Sequence, residues 1–237
     1  MIHEKNMEIL KNPEMKGVAE AVLFNYIQKR KRDKLKNYKM LNQYVKKGQI
    51  LFVGSSLMEW FPINEMQQTL NKDYIIYNRG IAGFVTTELL ASMEECIFDL
   101  EPSKIFINIG TNDMNTPDYK KEKLIDNYDK ILTQISQRLS NCKVYLMAYY
   151  PLNAKADFPG VDKEFKENRF ETRTNAVILE ANEAVEQLAK KHNYEFINAN
   201  DGLMDKEGNL KEEFSIEGIH MWPNAYSVIL ENIKKYL

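Results

Sequence analysis

Four short blocks of this sequence contain residues that could do chemistry. The first is Gly54-Ser55-Ser56-Leu57, which follows an apolar run. A serine on the turn between a strand and a helix would expose its hydroxyl and keep its backbone N–H free, and a nucleophilic serine needs both. A structural N-cap is the commoner explanation of such a turn, so the block alone does not decide between the two roles.

The second and third blocks offer groups that could stabilise a negative charge. Asn78-Arg79-Gly80-Ile81-Ala82-Gly83 contains two glycines, which let the backbone approach a ligand and present an N–H to it. Gly110-Thr111-Asn112-Asp113 contains an asparagine whose amide could donate to an oxyanion developing on a substrate. An ordinary turn would also explain either block, and we interpret Asp113 as a residue that fixes its loop.

The fourth block, Glu217-Gly218-Ile219-His220, supplies a candidate general base, because histidine has this role most often at neutral pH. The chain contains 3 histidines. His3 lies near a terminus that we expect to fray, and His192 follows two lysines at the polar end of a predicted helix. Any catalytic histidine is therefore His220. Glu217 could accept a hydrogen bond from its second ring nitrogen and hold the tautomer.

The elements that must position these blocks are predicted from hydrophobic patterning. Short apolar runs rich in β-branched and aromatic residues are typical of buried parallel strands. The predicted strands are Ile50–Val53, Tyr74–Tyr77, Ile105–Ile109, Val144–Tyr149 and Tyr194–Ile197. The predicted helices are Thr86–Phe98, Tyr119–Leu139, Arg169–His192 and Asn224–Leu237, and Leu152–Lys166 is predicted to be an irregular lid or pocket wall. This alternation predicts an α/β fold with a doubly wound parallel sheet of about five strands, and three of the blocks follow strands where such sheets bind ligands.

Residues 1–48 are predicted to form a helical extension packed on a body of residues 49–237. Their apolar residues recur at helical spacing, and Gly48 ends the segment. The basic run from Lys29 to Lys36 could contact an anionic partner. Asp33 interrupts it and no aromatic residue interleaves, so we favour a solvated helix face. The segment could also mediate a homodimer, and the sequence leaves that open.

Composition excludes several classes of protein. The chain has 237 residues, a formal net charge of −2 and 44% hydrophobic residues, as expected of a globular protein without nucleic-acid binding. Cys96 and Cys142 match neither a disulfide framework nor a zinc site. We find no secretory signal and no apolar run near the ~20 residues of a membrane span. We therefore expect a cytoplasmic protein with no stable membrane insertion.

The four blocks in this order resemble those of the SGNH (GDSL-like) hydrolases. The likeness covers residues 48–237 and is nearest to bacterial lipase/acylhydrolase proteins related to the catalytic subunit of platelet-activating-factor acetylhydrolase. Asp205-Lys206-Glu207-Gly208-Asn209-Leu210 is similar too. The resemblance implies the flavodoxin-like three-layer α/β/α fold of that superfamily, a serine esterase activity, and no metal or organic cofactor.

The resemblance also implies roles for individual residues. Ser56 matches the nucleophile, which also supplies one N–H of the oxyanion hole, and His220 matches the general base. Gly83 and Asn112 match the other two oxyanion-hole donors.

This sequence departs from the family pattern at two positions where Asp is usual. Ser55 creates a pair of adjacent serines, of which the alignment of the block favours Ser56 as nucleophile. Glu217 is one methylene longer than Asp. It would either orient His220 as the third member of a triad or point away and leave a Ser–His dyad, and the sequence leaves both open.

The expected reaction is hydrolysis of a small-molecule ester through an acyl-enzyme on Ser56. Short acyl groups such as acetyl, on a small or sugar-like alcohol, are favoured over bilayer lipids. Two alternatives stay open: a lysophospholipase or thioesterase acting on longer acyl chains, and a non-catalytic relative that binds a ligand. Aromatic residues near the strand ends could line the pocket or simply pack in the core. These are Trp60, Phe84, Tyr149 and Trp222.

Overall fold

A parallel sheet of five strands forms the centre of the protein, which the computed structural model describes over residues 12–116 and 118–237. The strands are β1 (Ile50–Gly54), β2 (Ile76–Asn78), β3 (Lys104–Asn108), β4 (Lys143–Met147) and β5 (Glu195–Ile197). Their order is β2-β1-β3-β4-β5, and every pair is parallel. The chain order therefore reverses at β1, and open α/β sheets bind ligands in the crevice beyond the strand ends at that point.

The described α-helices flank this sheet and confirm the predicted doubly wound α/β fold. They are α1 (Pro13–Leu41), α2 (Ser56–Glu59), α3 (Ile63–Met66), α4 (Thr86–Ala91), α5 (Met93–Cys96), α6 (Lys121–Arg138), α7 (Lys163–Phe170), α8 (Asn175–Lys191) and α9 (Pro223–Ile233). Within the described residues, no helix is both long and apolar enough to cross a membrane.

Two apolar cores lie on opposite faces of the sheet. Successive residues of β1 alternate between them. Leu51 and Val53 pack with residues of α4, α6 and α8, whereas Ile50 and Phe52 pack with residues of α2 and α9. Burial on both faces explains why the strands are continuous apolar runs in the sequence.

Helix α1 packs on the body of the protein through residues near its C-terminal end, among them Leu35 and Tyr38. It begins at Pro13, after an Asn12 side chain that accepts the Glu14 backbone N–H (3.0 Å). Near its other end Tyr38 is buried and donates its hydroxyl to the Gly80 carbonyl (2.6 Å). The predicted helical extension is therefore present in the described part of residues 1–48, and its C-terminal half contacts the second block.

Two of the predicted helices are divided in the structure, one by a non-helical residue and the other by side-chain capping. The predicted helix Thr86–Phe98 is divided at Ser92, whose backbone is not helical (φ −127, ψ 25). The predicted helix from Arg169 is also divided, because the Asp162 side chain caps α7 and the Thr174 side chain caps α8. The stretch predicted as irregular therefore ends at Asp162, and α7 begins at the next residue.

We expect Phe52→Ala to lower the free energy of unfolding by about 3–5 kcal/mol, because it removes a ring from a core that cannot collapse around the gap. Phe52 has no exposed surface and its ring stacks on Phe106, with centroids 4.7 Å apart. Urea denaturation followed by circular dichroism measures the loss. Phe24→Ala is the matched control, because Phe24 on α1 is 61% exposed, and it should change stability by less than about 0.5 kcal/mol. Equal losses in both variants would contradict the prediction.

Candidate active site

The four blocks meet at the carboxyl end of the sheet, around a cleft of about 660 Å³. Each block contributes one predicted site residue to the lining. These are Ser56, Gly83, Asn112 and His220. Three of the blocks follow β1, β2 and β3, and the fourth precedes α9.

The turn after β1 separates the two adjacent serines. Gly54 passes so close to β3 that a Cβ there would lie 2.0 Å from the Asn108 carbonyl oxygen, so only glycine fits. Ser55 is fully buried, and its hydroxyl has no hydrogen-bond partner among the described residues. Ser56 starts α2, and its Oγ lies 2.8 Å from Nε2 of His220. Of the two serines, Ser56 is the one in contact with the candidate base.

Glu217 folds back over its own turn and reaches the other nitrogen of the His220 ring. Its Oε1 is hydrogen-bonded to His220 Nδ1 and also accepts the His220 backbone N–H at 3.1 Å. The turn is held by Ser215, whose Oγ accepts the Gly218 N–H (2.7 Å). The extra methylene of Glu217 is thus taken up within the turn, and the carboxylate has the position that a third triad member needs.

The surroundings of Glu217 keep this carboxyl ionised. Burial by itself would raise its pKa. The hydrogen bonds and charge of His220, together with the charge of Arg169, outweigh burial, so the pKa of Glu217 lies below its usual value. The His220 ring also packs against Trp60, with ring centroids 4.2 Å apart. His220 is therefore fixed by contacts at both ring nitrogens and on one face.

The two further candidate oxyanion donors lie on neighbouring loops. Gly83 has a φ of +79°, a conformation that favours glycine, and it lines the cleft. The Asn112 amide donates one N–H to the Phe84 carbonyl (2.9 Å), and its second N–H has no acceptor among the described residues, so it can donate to a ligand. Asp113 accepts two hydrogen bonds from Thr86 and so holds the third block against α4, as a loop-fixing residue would.

Of the other two histidines, His192 lies within the described residues and does not line the cleft. His192 Nε2 lies 2.7 Å from Asp129 Oδ1, between α6 and the end of α8. His3 lies outside the described residues. Within residues 12–116 and 118–237, no group of three His, Cys, Asp or Glu side chains could hold a metal ion.

The structure corrects the prediction of aromatic pocket residues. Trp60 lines the cleft, but Phe84, Tyr149 and Trp222 do not. Phe84 and Tyr149 have at most 2% of their surface exposed and pack in the core. Trp222 is exposed outside the lining, at the N-cap of α9. Closeness to a strand end in sequence did not indicate which way each ring points.

Helix α1 supplies a wall of the cleft that the sequence did not indicate. Its residues in the lining are Leu23, Tyr26, Ile27, Arg30, Lys31, Asp33, Lys34 and Asn37. Their spacing places them on one helix face, but this face mixes apolar and charged residues and so lacks an amphipathic signal. The interpretation of the basic run as a solvated face was wrong for Lys31 and Lys34, which form ion pairs with Glu88 and Glu59 of the body.

The chain also resembles proteins already known. It is 26% identical over 215 residues to an N-acylneuraminate cytidylyltransferase from Escherichia coli, a match that covers 86% of this chain and 46% of that protein. The chain thus spans about half the length of that curated relative. The match covers 86% of this chain, which is more residues than the range 49–237 contains. The likeness therefore extends into the N-terminal segment.

Solved structures share the fold. A protein from Streptococcus pneumonia named for platelet activating factor superposes with a TM-score of 0.81 at 27% identity, over 93% of this chain and 98% of that one. The acetylxylan esterase Axe2 from Geobacillus stearothermophilus superposes with a TM-score of 0.60 at 15% identity, over 81% of this chain and 94% of that one. At 15% identity, the likeness to Axe2 shows a common fold and nothing further.

A family model gives the assignment. Residues 52–228 match the GDSL-like Lipase/Acylhydrolase family, and this range runs from β1 through most of α9 and includes all four blocks. The match covers well over half of the chain and agrees with the fold of the solved relatives. This protein therefore belongs to the GDSL-like lipase/acylhydrolase family.

Proposed function

We propose that the protein is a serine ester hydrolase with Ser56 as nucleophile and His220 as general base. The observation that supports this best is the continuous contact from Ser56 Oγ to His220 Nε2 (2.8 Å) and from His220 Nδ1 to Glu217. This arrangement activates a serine hydroxyl in unrelated folds, because the base accepts the proton at one nitrogen while the acid fixes the other. Membership of the GDSL-like family supports the same reaction class.

The proposed reaction has two halves. Ser56 Oγ attacks the ester carbonyl while Nε2 of His220 takes its proton. The same nitrogen then protonates the departing alcohol. Water, deprotonated by His220, then attacks the acyl-enzyme. The bond from the acyl carbon to Ser56 Oγ breaks, His220 returns the proton to Oγ, and the acid is released. Glu217 stabilises the imidazolium that forms in both halves.

The negative charge of each tetrahedral intermediate needs nearby donors. The proposed donors are the backbone N–H groups of Ser56 and Gly83 and the free amide N–H of Asn112, which all line the cleft. Glu59 supports this arrangement, because it accepts the Ala82 backbone N–H (2.6 Å) and so ties the glycine loop to α2.

The proposed substrate is an ester of a short acyl group, such as acetyl, with a small or sugar-like alcohol. The names of two similar proteins support a sugar-like alcohol, since one is an acetylxylan esterase and the other a transferase named for N-acylneuraminate. A second candidate is hydrolysis of longer acyl chains. It is favoured by the apolar part of the cleft lining, which comprises Leu23, Tyr26, Ile27, Trp60 and Ile81.

Hydrolysis of p-nitrophenyl esters from C2 to C16 separates these proposals. We expect the highest kcat/KM at C2–C4. A maximum between C8 and C16 would favour a lysophospholipase or thioesterase instead. A further possible outcome is a folded protein that binds one of the esters without hydrolysing any of them. That result would contradict the proposed esterase activity and favour the non-catalytic alternative.

We expect Asn112→Ala to lower kcat by about 10²–10³-fold, because one donor to the oxyanion is lost. KM should change little, since the donor acts mainly on the charge of the transition state. Asn64→Ala is the control: Asn64 is exposed on α3, outside the cleft lining, and its loss should leave kcat within about twofold. Steady-state kinetics on p-nitrophenyl acetate measure both variants. An Asn112→Ala enzyme with the turnover of the parent would remove Asn112 from the oxyanion hole.

A further inference from the structure

The cleft contains more positive charge than its own carboxylates neutralise. Two of its cations are paired. Lys31 Nζ lies 2.8 Å from both carboxylate oxygens of Glu88, and Lys34 Nζ lies 2.9 Å from Glu59. Asp33 of α1, the acidic residue that lines the cleft beside Glu59, forms an ion pair with Lys29 outside the cleft. These contacts leave no carboxylate of the lining for any further cation.

Two arginines in the same lining have no carboxylate partner in the described part of the chain. Neither the Arg30 nor the Arg169 guanidinium lies within 4.0 Å of an acidic oxygen anywhere in the described ranges 12–116 and 118–237. Each instead lies over an aromatic ring of its own helix. Arg30 is 6.0 Å from the Tyr26 ring centroid, and Arg169 is 5.4 Å from that of Phe165. With respect to the described residues, both guanidinium groups remain available to a ligand.

These arginines come from separate elements that converge on the catalytic residues. Arg30 lies on α1 and Arg169 on α7, and both line the cleft with Ser56 and His220. Arg169 is close enough to Glu217 for its charge to act on that carboxylate. Glu217 is hydrogen-bonded to His220 through Oε1, and neither of its carboxylate oxygens lies within 4.0 Å of the Arg169 guanidinium, so the two residues form no ion pair.

We propose that Arg30 and Arg169 bind an oxyanionic group of the substrate, a carboxylate or a phosphate. A guanidinium binds either group through two parallel hydrogen bonds and keeps its charge at any physiological pH. The acyl group is short in the proposed function, so the anion belongs to the alcohol part of the ester. The inference rests on that proposed function and names its substrate class: acetyl-type esters of acidic alcohols. The apolar side chains of Leu23, Ile27 and Trp60 line the same cleft and would contact the uncharged body of the alcohol.

Three acetyl esters of similar shape test the preference. They are 4-acetoxybenzoate, 4-acetoxyphenyl phosphate and the neutral 4-acetoxybenzamide. Each kcat/KM is divided by the rate constant for hydroxide hydrolysis of the same ester, which removes differences in leaving group. We expect at least one anionic ester to exceed the amide by about tenfold or more, and the better anion identifies carboxylate or phosphate. Equal corrected values for all three esters would overturn the inference.

Substitution of each arginine tests whether these two residues carry the preference. Arg30→Gln and Arg169→Gln should each lower the ratio of anionic to neutral kcat/KM by about tenfold. Arg32→Gln on α1 and Lys163→Gln on α7 are the matched controls, because both residues are exposed and lie outside the lining. The controls should keep the ratio of the parent enzyme. A ratio that falls equally in the controls, or in no variant, would overturn the assignment.

A binding measurement separates this inference from the proposed function. Calorimetry with the Ser56→Ala protein compares the Kd of 4-acetoxybenzoate and 4-acetoxyphenyl phosphate with that of 4-acetoxybenzamide. We expect one anion to bind about tenfold more tightly, and the advantage to disappear when Arg30→Gln is added. Failure of the parent protein to hydrolyse any of the esters would defeat the proposed function, but a binding preference would still support anion recognition. Equal Kd values would overturn anion recognition even in an active esterase.

Discussion

The Ser56→Ala protein is expected to lose kcat for p-nitrophenyl acetate by on the order of 10⁶-fold, whereas Ser55→Ala should keep most of its activity. The two variants should differ because the turn after β1 points the two serine hydroxyls to different places. Ser56 Oγ lies 2.8 Å from the His220 ring, while the Ser55 hydroxyl is buried without a partner in the described residues. Removal of a buried hydroxyl that makes no hydrogen bond leaves no group unsatisfied, so Ser55→Ala should also fold normally.

The two variants are each other's control, since they change the same residue type at adjacent positions. Circular dichroism and thermal unfolding establish that both are folded. A fluorophosphonate reagent, which forms an adduct with activated serines, gives a second measurement that does not depend on substrate choice. It should label the parent and Ser55→Ala, and leave Ser56→Ala unlabelled. The reverse labelling pattern would show that Ser55 is the nucleophile.

The sheet could be predicted from the sequence because its strands are buried on both faces. The residues Ile105–Ile107 have no exposed surface, and a parallel strand of this kind gives a continuous apolar run whatever packs on it. The meeting of the blocks was predictable for a related reason. Residues that follow parallel strands lie at one edge of the sheet, so the topology itself brings Ser56 and Asn112 together.

The cleft wall could not be predicted, because it depends on contacts between residues far apart in the chain. Helix α1 is held in place by the Tyr38 hydroxyl on the Gly80 carbonyl and by the ion pair of Lys34 with Glu59. In the sequence these residues look like an ordinary charged helix. Arg30 consequently seemed to belong to a solvated face, and only the folded structure places it in the lining.

The role of Glu217 could not be predicted for a different reason. Its side chain is one methylene longer than that of Asp, and the orientation of this longer side chain decides whether the carboxylate reaches His220. Spacing alone allowed the carboxylate to face the imidazole or to turn away. The orientation in which the Glu217 carboxylate contacts His220 depends on the turn that Ser215 and Gly218 form. A Cβ at Gly218 would lie 2.3 Å from the Asn153 carbonyl oxygen, and its φ is +95°, so glycine is required there.

Glu217→Gln is expected to lower kcat by on the order of 10⁴-fold, the loss seen when the acid of a serine–histidine–acid triad becomes an amide. The Glu217 carboxylate accepts from Nδ1 of His220, which leaves Nε2 free of a proton to act on Ser56. A glutamine amide can donate to Nδ1 instead and so hold the wrong tautomer, and it has no charge to stabilise the imidazolium. The control is Glu213→Gln, an exposed residue before the same turn, whose loss should leave kcat within about twofold.

The pH dependence and a shorter acid separate a triad from a dyad. Burial would raise the pKa of Glu217, but its hydrogen bonds and charge interaction with His220 outweigh that and lower the pKa below its usual value, so the carboxylate is ionised at neutral pH. The deficit of Glu217→Gln should therefore persist through the neutral and mildly alkaline range in which His220 can act as a base. Glu217→Asp keeps the charge but shortens the reach, and its kcat should fall between those of the parent and Glu217→Gln. A loss below about tenfold in Glu217→Gln would instead indicate a Ser56–His220 dyad, in which the carboxylate contributes little to turnover.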